Sequence, residues 1–177
     1  EKLVQGGEFD AAVRRHAEYF MHLFAAAEAE AETRPTEEWL AEYGPLVDNV
    51  RAALDWAFLP GGDLPIGIAL TISSVPLWLQ LSLMEECRGR VERALAGPYL
   101  GSGLGPHREM QLYAALGASL MYTKGPVPET GAAWTRALEL AESLGDERFQ
   151  LSALWGLSFY RSISGEHRTE LALAQRF

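Results

Sequence analysis

Cys87, four histidines and the stretch GSGLG (101–105) are the residues of this 177-residue chain whose types invite chemistry. A nucleophilic thiolate needs a base or cation beside it, and no histidine stands near Cys87 in sequence. It shares an apolar helical stripe with Val91, so it reads as a core thiol. His16 and His22 are six residues apart and fall on different sides of a helix, while His107 and His167 are solitary. None has the spacing of a zinc site. GSGLG resembles a phosphate cradle only superficially, because it follows a helix instead of a strand and runs into Pro106. It reads as a connector. Glu28, Glu30 and Glu32, with Glu85 and Glu86, are read as solvated carboxylates of an acidic surface. The sequence has no G-x-x-x-x-G-K-[ST], so no ATP is expected to bind through such a loop. These residues predict no catalytic group, metal or cofactor, and leave recognition as the expected task.

Composition narrows what would be recognised. Net charge is −9, from 15 Lys plus Arg against 24 Asp plus Glu. Such a surface repels phosphate backbones and anionic lipid, and Arg14-Arg15 with the spaced Arg88, Arg90 and Arg93 form no basic run that would reverse this. Neither direct nucleic-acid binding nor membrane binding is expected. A lone cysteine makes no internal disulfide, which suits a reducing cytoplasm. Both ends read as cut from something longer. From Leu64 to Met84 the chain carries 21 residues without a charge, but Pro65, Gly67, Ser73, Ser74, Pro76 and Gln80 dilute it, and its flanks are acidic. The run is expected to be a buried helix.

Helical spacing recurs along the chain and strand signals are nearly absent, which predicts an all-α fold of about eight helices. Helix one covers about 8–31, with Phe9, Val13, Phe20, Phe24 and Ala27 on one face. A second region begins at Thr36, read as its N-cap, and carries Trp39, Tyr43, Val47, Val50, Leu54 and Phe58, with a break or kink at Gly44-Pro45. The uncharged run should bend at Pro76. Met84 to Ala96 follows, its stripe formed by Met84, Cys87, Val91, Ala94 and Leu95, and Gly97-Pro98 ends it. Further helices are expected at about 108–123, 128–144 and 146–163, and an eighth after Gly165. Residues 1–60 are read as an N-terminal helical region and 61–177 as helical repeats, together one continuous structural unit.

The helix from 134 onward, WTRALELAESLGD, places Trp134, Ala137, Leu138, Leu140, Ala141 and Leu144 on one side. Alanines on a buried face let a neighbouring helix come close, so the stripe is shaped for a partner at short range. The helix from 146 is apolar nearly all round (Phe149, Leu151, Ala153, Leu154, Trp155, Leu157, Phe159, Ile163) and is expected to be covered on several sides. AALGASLMYTKG (114–125) aligns with ALWGLSFYRSISG (153–165), Gly117 over Gly156, 39 residues apart; VERALA (91–96) matches WTRALE (134–139). This is the pattern of a loose helical repeat whose units must stack to bury their faces.

Leu116-Gly117, its counterpart Trp155-Gly156, and Trp134 three before Ala137 resemble the tetratricopeptide repeat, with a longer period and with Glu129 or Thr130 where a small residue is usual. Upstream, RRHAEYF (14–20), EEWLAEYGPLVDNVRAALDWAF (37–58) and PLWLQLSLMEECRGRVERALA (76–96) resemble the helical region that follows the ATPase and winged-helix modules of large bacterial signal-transduction ATPases, many of them transcriptional regulators. Asp48 to Ala57 is the densest part of that likeness; Gly44-Pro45 interrupts a helix usually continuous there, and Ser82 stands where glycine is usual.

The resemblance implies antiparallel helix pairs stacked as a degenerate tetratricopeptide-like superhelix. Such a stack lines a concave groove with the first helix of each pair. Projected onto this chain, that groove takes Gln111, Ala118, Met121 and Tyr122 from one helix and Gln150, Leu157, Tyr160 and Arg161 from the next but one. The implied function is a non-catalytic sensor module, binding a protein or small-molecule effector and restraining its own upstream ATPase and winged-helix modules. A self-association scaffold without a small ligand, possibly a homodimer, is the alternative; an enzyme ranks third.

Overall fold

The computed structural model describes residues 8–96 and 104–165, and the described residues are helical with no strand. Nine α-helices are found among them: α1 (Glu8–Glu30), α2 (Thr36–Tyr43), α3 (Val47–Ala57), α4 (Leu64–Ser73), α5 (Val75–Gln80), α6 (Met84–Leu95), α7 (Pro106–Thr123), α8 (Pro128–Leu144) and α9 (Glu147–Ser164). A 3-10 turn at Gly44–Leu46 separates α2 from α3, where Gly44-Pro45 predicts the break. Gly97-Pro98, most of the glycine-rich stretch, His167 and the expected eighth helix lie outside the described residues.

The chain divides into two compact units between Leu83 and Met84, not at residue 60. In the first, α1 packs against α3 and α4, and α3 against α4; α4 thus belongs with the N-terminal helices, although its sequence was grouped with the repeats. Apolar residues surround α4, and Ile66, Ile68, Leu70, Thr71 and Ile72 are all buried. No helix among the described residues is long and apolar enough to cross a membrane. The uncharged run breaks at Ser74 instead of bending at Pro76, because Pro76 has no N–H to continue the ladder and serves instead in the first turn of α5. Ser82 follows with φ +58°, a left-handed value otherwise found among the described residues only at glycines.

Two further expectations are corrected in this unit. Pro35, not Thr36, occupies the N-cap of α2, and its carbonyl accepts from Trp39 N at 3.0 Å; the linkage to α1 is made instead by Arg34, which pairs with Glu30 at 3.1 Å and Glu42 at 2.8 Å. Phe9 is exposed, so the buried stripe of α1 starts later and comprises Ala17, Phe20, Phe24 and Ala27. Trp39 anchors α2 by donating its buried Nε1–H to Ala27 O at 2.8 Å. Tyr43 beside it donates to Glu30 at 3.2 Å; burial first, then that hydrogen bond, raises its phenol pKa.

The second unit is a succession of helices, α6 on α7, α7 on α8 and α8 on α9, with α7 also touching α9. Its order follows from short turns: Gly125 and Gly145 adopt the positive φ that ends one helix and starts the next. Asp146 caps α9, accepting from Phe149 N at 3.0 Å. α8 runs antiparallel to both neighbours. Arg136 meets Glu109 at the start of α7, while Thr130 Oγ1 donates to Gly125 O past its end; Gln150 Nε2 donates to Ala141 O, while Tyr160 lies on Gly131. α7 and α9 are therefore parallel, as the first helices of successive pairs must be.

Candidate functional site

The centre of the second unit is one side chain. Trp134 projects from α8 between Gly117 of α7 and Gly156 of α9: a Cβ at Gly117 would lie 2.7 Å from the indole, and one at Gly156 only 2.3 Å. The two glycines that align in the sequence repeat are thus two walls of one slot. Burying the indole is worth about 4–6 kcal/mol in area. That exceeds the roughly 0.5–1 kcal/mol lost at each helical glycine and the cost, about 1–3 kcal/mol, of its Nε1–H finding no acceptor. Ala114, Ala137, Leu138, Ala153, Leu154 and Leu157 complete this core, as small residues at the helix contacts require. The small residue expected early in α8 is Gly131, one past Thr130, and the ring of Tyr160 covers it at 2.7 Å from where a Cβ would stand.

The groove projected from the sequence is largely filled by this packing. Leu157 belongs to the core and Ala118 packs against it. Gln150 spends an amide N–H on Ala141 O at 3.2 Å, and Tyr160 faces α8. Gln111, Met121 and Arg161 are half-buried, and Tyr122 is 70% exposed. Because α7 and α9 are parallel, Met121 and Tyr122 lie at the same end of the unit as Tyr160 and Arg161. The eight residues therefore separate into a packed seam and an open end, and do not form one continuous groove.

A cavity of about 480 Å³ opens on the other side of α7, between α6 and α8. Tyr113, Leu116 and Leu120 of α7, with Ala132 and Ala133 of α8, make an apolar floor; Glu92, Lys124, Glu129 and Arg136 stand around it. Two of these charges are committed elsewhere. Glu92 accepts from Arg88 at 3.0 Å, and Arg136 donates to Glu109 at 3.0 Å and Glu139 at 3.2 Å. The Glu109 hydrogen bond is the main cause raising the Arg136 guanidinium pKa. Lys124 and Glu129, at the turn from α7 to α8, pair with nothing among the described residues. Tyr113, Leu116, Leu120 and Lys124 recur at intervals of three and four, so the row is visible in the sequence; that it borders open space depends on how α6 and α8 straddle α7.

The residues with intrinsic reactivity are placed otherwise. Cys87 is fully buried, and burial pushes its thiol up to about 12, so it stays protonated and inert at neutral pH. His16 lies against Phe20, and His107 approaches Asp146 at 3.8 Å. Among the described residues no three His, Cys, Asp or Glu side chains gather to hold a metal ion. Of the carboxylates read as solvated, Glu30, Glu85 and Glu86 are paired with Arg34, Arg88 and Arg90. Helical spacing of three or four residues brings each pair together.

Compared with known proteins, the chain matches no family model, no curated protein and no solved structure.

Proposed function

We propose that this chain is a recognition module of a bacterial signalling ATPase, of the kind that regulates transcription, and that its effector occupies the cavity between α6, α7 and α8. One observation carries this: an apolar floor of useful size lies beside an ammonium and a carboxylate, Lys124 and Glu129, that the described residues leave unpaired. An amphipathic small molecule or peptide segment would bury its apolar part on Leu116 and Leu120 and meet those charges with its polar end. The likeness to the helical region of such ATPases supports the setting, and the left-handed Ser82, where that family has glycine, agrees with it. A cytoplasmic protein is the reading that goes with it. Binding would act by favouring one state of the upstream ATPase and winged-helix modules, which requires unequal affinity for the two states.

The test is a thermal-shift screen of amphipathic metabolites and short peptides, run on the native chain and on Leu116→Glu. A ligand at a hundred times its Kd stabilises by about 2.7 kcal/mol. That corresponds to a rise of about 5–10 °C for a chain of this size. The rise should vanish in Leu116→Glu. Ligands that stabilise both proteins equally would set the cavity aside.

A further inference from the structure

The face of α9 turned away from α8 is apolar and uncovered. Leu151, Trp155, Phe159 and Ile163, each four residues from the next, are 50%, 59%, 43% and 51% exposed, and the rings of Trp155 and Phe159 stack at 5.5 Å. The stripe is symmetric about Leu157. Trp155 and Phe159 lie two residues to either side of it, Ser152 and Ser162 five, and Leu151 and Ile163 six. A two-fold contact between identical chains makes this demand, since each residue must face a partner that faces it in return. A foreign partner makes no such demand.

We infer that α9 is a self-recognition surface, on which two copies of this chain pair their α9 helices antiparallel about Leu157. Trp155 of each copy then faces Phe159 of the other, and Leu151 faces Ile163. Ser152 and Ser162 flank the contact as small residues that permit close approach. Charge agrees: in a chain of net charge −9, no carboxylate lies between Arg148 and Ser164, so the repulsion that opposes pairing elsewhere is absent here. A helix of 18 residues is about 27 Å long. Its contact falls at the small end of stable interfaces, about 1,200 Å² in total, which predicts micromolar association. No residue lining the α6–α8 cavity belongs to α9, so this surface stands apart from the effector reading.

Sedimentation equilibrium of the full chain across the micromolar range tests it, with Trp155→Lys and Phe159→Glu made separately. The native chain should reach twice the monomer mass, and each variant should remain monomeric with unchanged far-ultraviolet circular dichroism and melting. An equimolar mixture of the two variants should regain the dimer. There the introduced ammonium meets the introduced carboxylate, and the native Phe159 and Trp155 meet on the other side of the two-fold axis. A native chain that stays monomeric overturns the inference, whether Trp155 is open to iodide quenching or shielded by another part of the same chain. So does a dimer that either variant leaves intact, or a mixture that stays monomeric. Both variants should keep any ligand-induced thermal shift, which separates this result from the cavity test.

Discussion

The indole of Trp134 fills the clearance left by two absent methyl groups, one at Gly117 and one at Gly156. Three helices meet at that residue, and their separation is fixed by what glycine lacks.

Alanine at these positions should therefore act against its own helix propensity. Gly156→Ala would place a methyl 2.3 Å from the ring and should cost about 1–3 kcal/mol by overpacking. Gly117→Ala, at 2.7 Å, should cost less. Gly89→Ala in α6 meets open space and should instead stabilise by about 0.5–1 kcal/mol. Urea midpoints of the three variants check this, and an equal sign for all three would show that clearance is irrelevant.

A smaller side chain in the slot should make the extra methyl tolerable. Trp134→Leu and Gly156→Ala are each expected to destabilise. The double variant should lose less than their sum, by a coupling of about 0.5–3 kcal/mol. Strict additivity in denaturant titrations would mean that the two residues are not in energetic contact.

Ser82→Gly should raise stability by about 0.5–1 kcal/mol. The left-handed conformation costs an L-residue about 1–2 kcal/mol, of which glycine's greater unfolded-state freedom gives part back. A melting temperature that falls would mean that the serine side chain does more for the turn between α5 and α6 than its backbone costs.

Cys87 gives the protein an alkaline limit. The buried thiol holds its proton up to about pH 12, whereas in the unfolded chain it ionises near 8.5. Between those values the unfolded state binds fewer protons, so stability falls as pH rises, by up to about 1.4 kcal/mol per unit, and is unaffected below. Tyr43, also raised, adds a slope of the same sign above about pH 10. Cys87→Val should flatten the decline from pH 9, read as stability against pH by urea unfolding. An unchanged slope would show that the thiol does not titrate on unfolding.

What the sequence discloses here is what packing writes into side-chain size. Ala137, Ala141, Gly117 and Gly156 mark where helices touch, because only small residues survive there, and their spacing gives the register of α7, α8 and α9 in advance. The same spacing is silent about vacancy. Trp155 and Phe159 look as buried in sequence as Leu154 and Leu157, since an apolar face is equally apolar whether or not anything covers it. The cavity is hidden for a related reason: Leu116 and Leu120 belong to an ordinary amphipathic row, and only the separation of α6 from α8 leaves space over it. Tyr160 and Leu157 were assigned to a groove by likeness to another architecture, and Gly131, which draws Tyr160 onto α8, went unremarked beside Thr130.

Because Trp134 needs a wall on each side, the second unit cannot be shortened by a single rod. A chain ended before α9 would present half of that indole to water and leave Gly117 facing a ring free to swing away. Growth and loss of this architecture, in evolution as in proteolysis, should then proceed by more than one helix at a time.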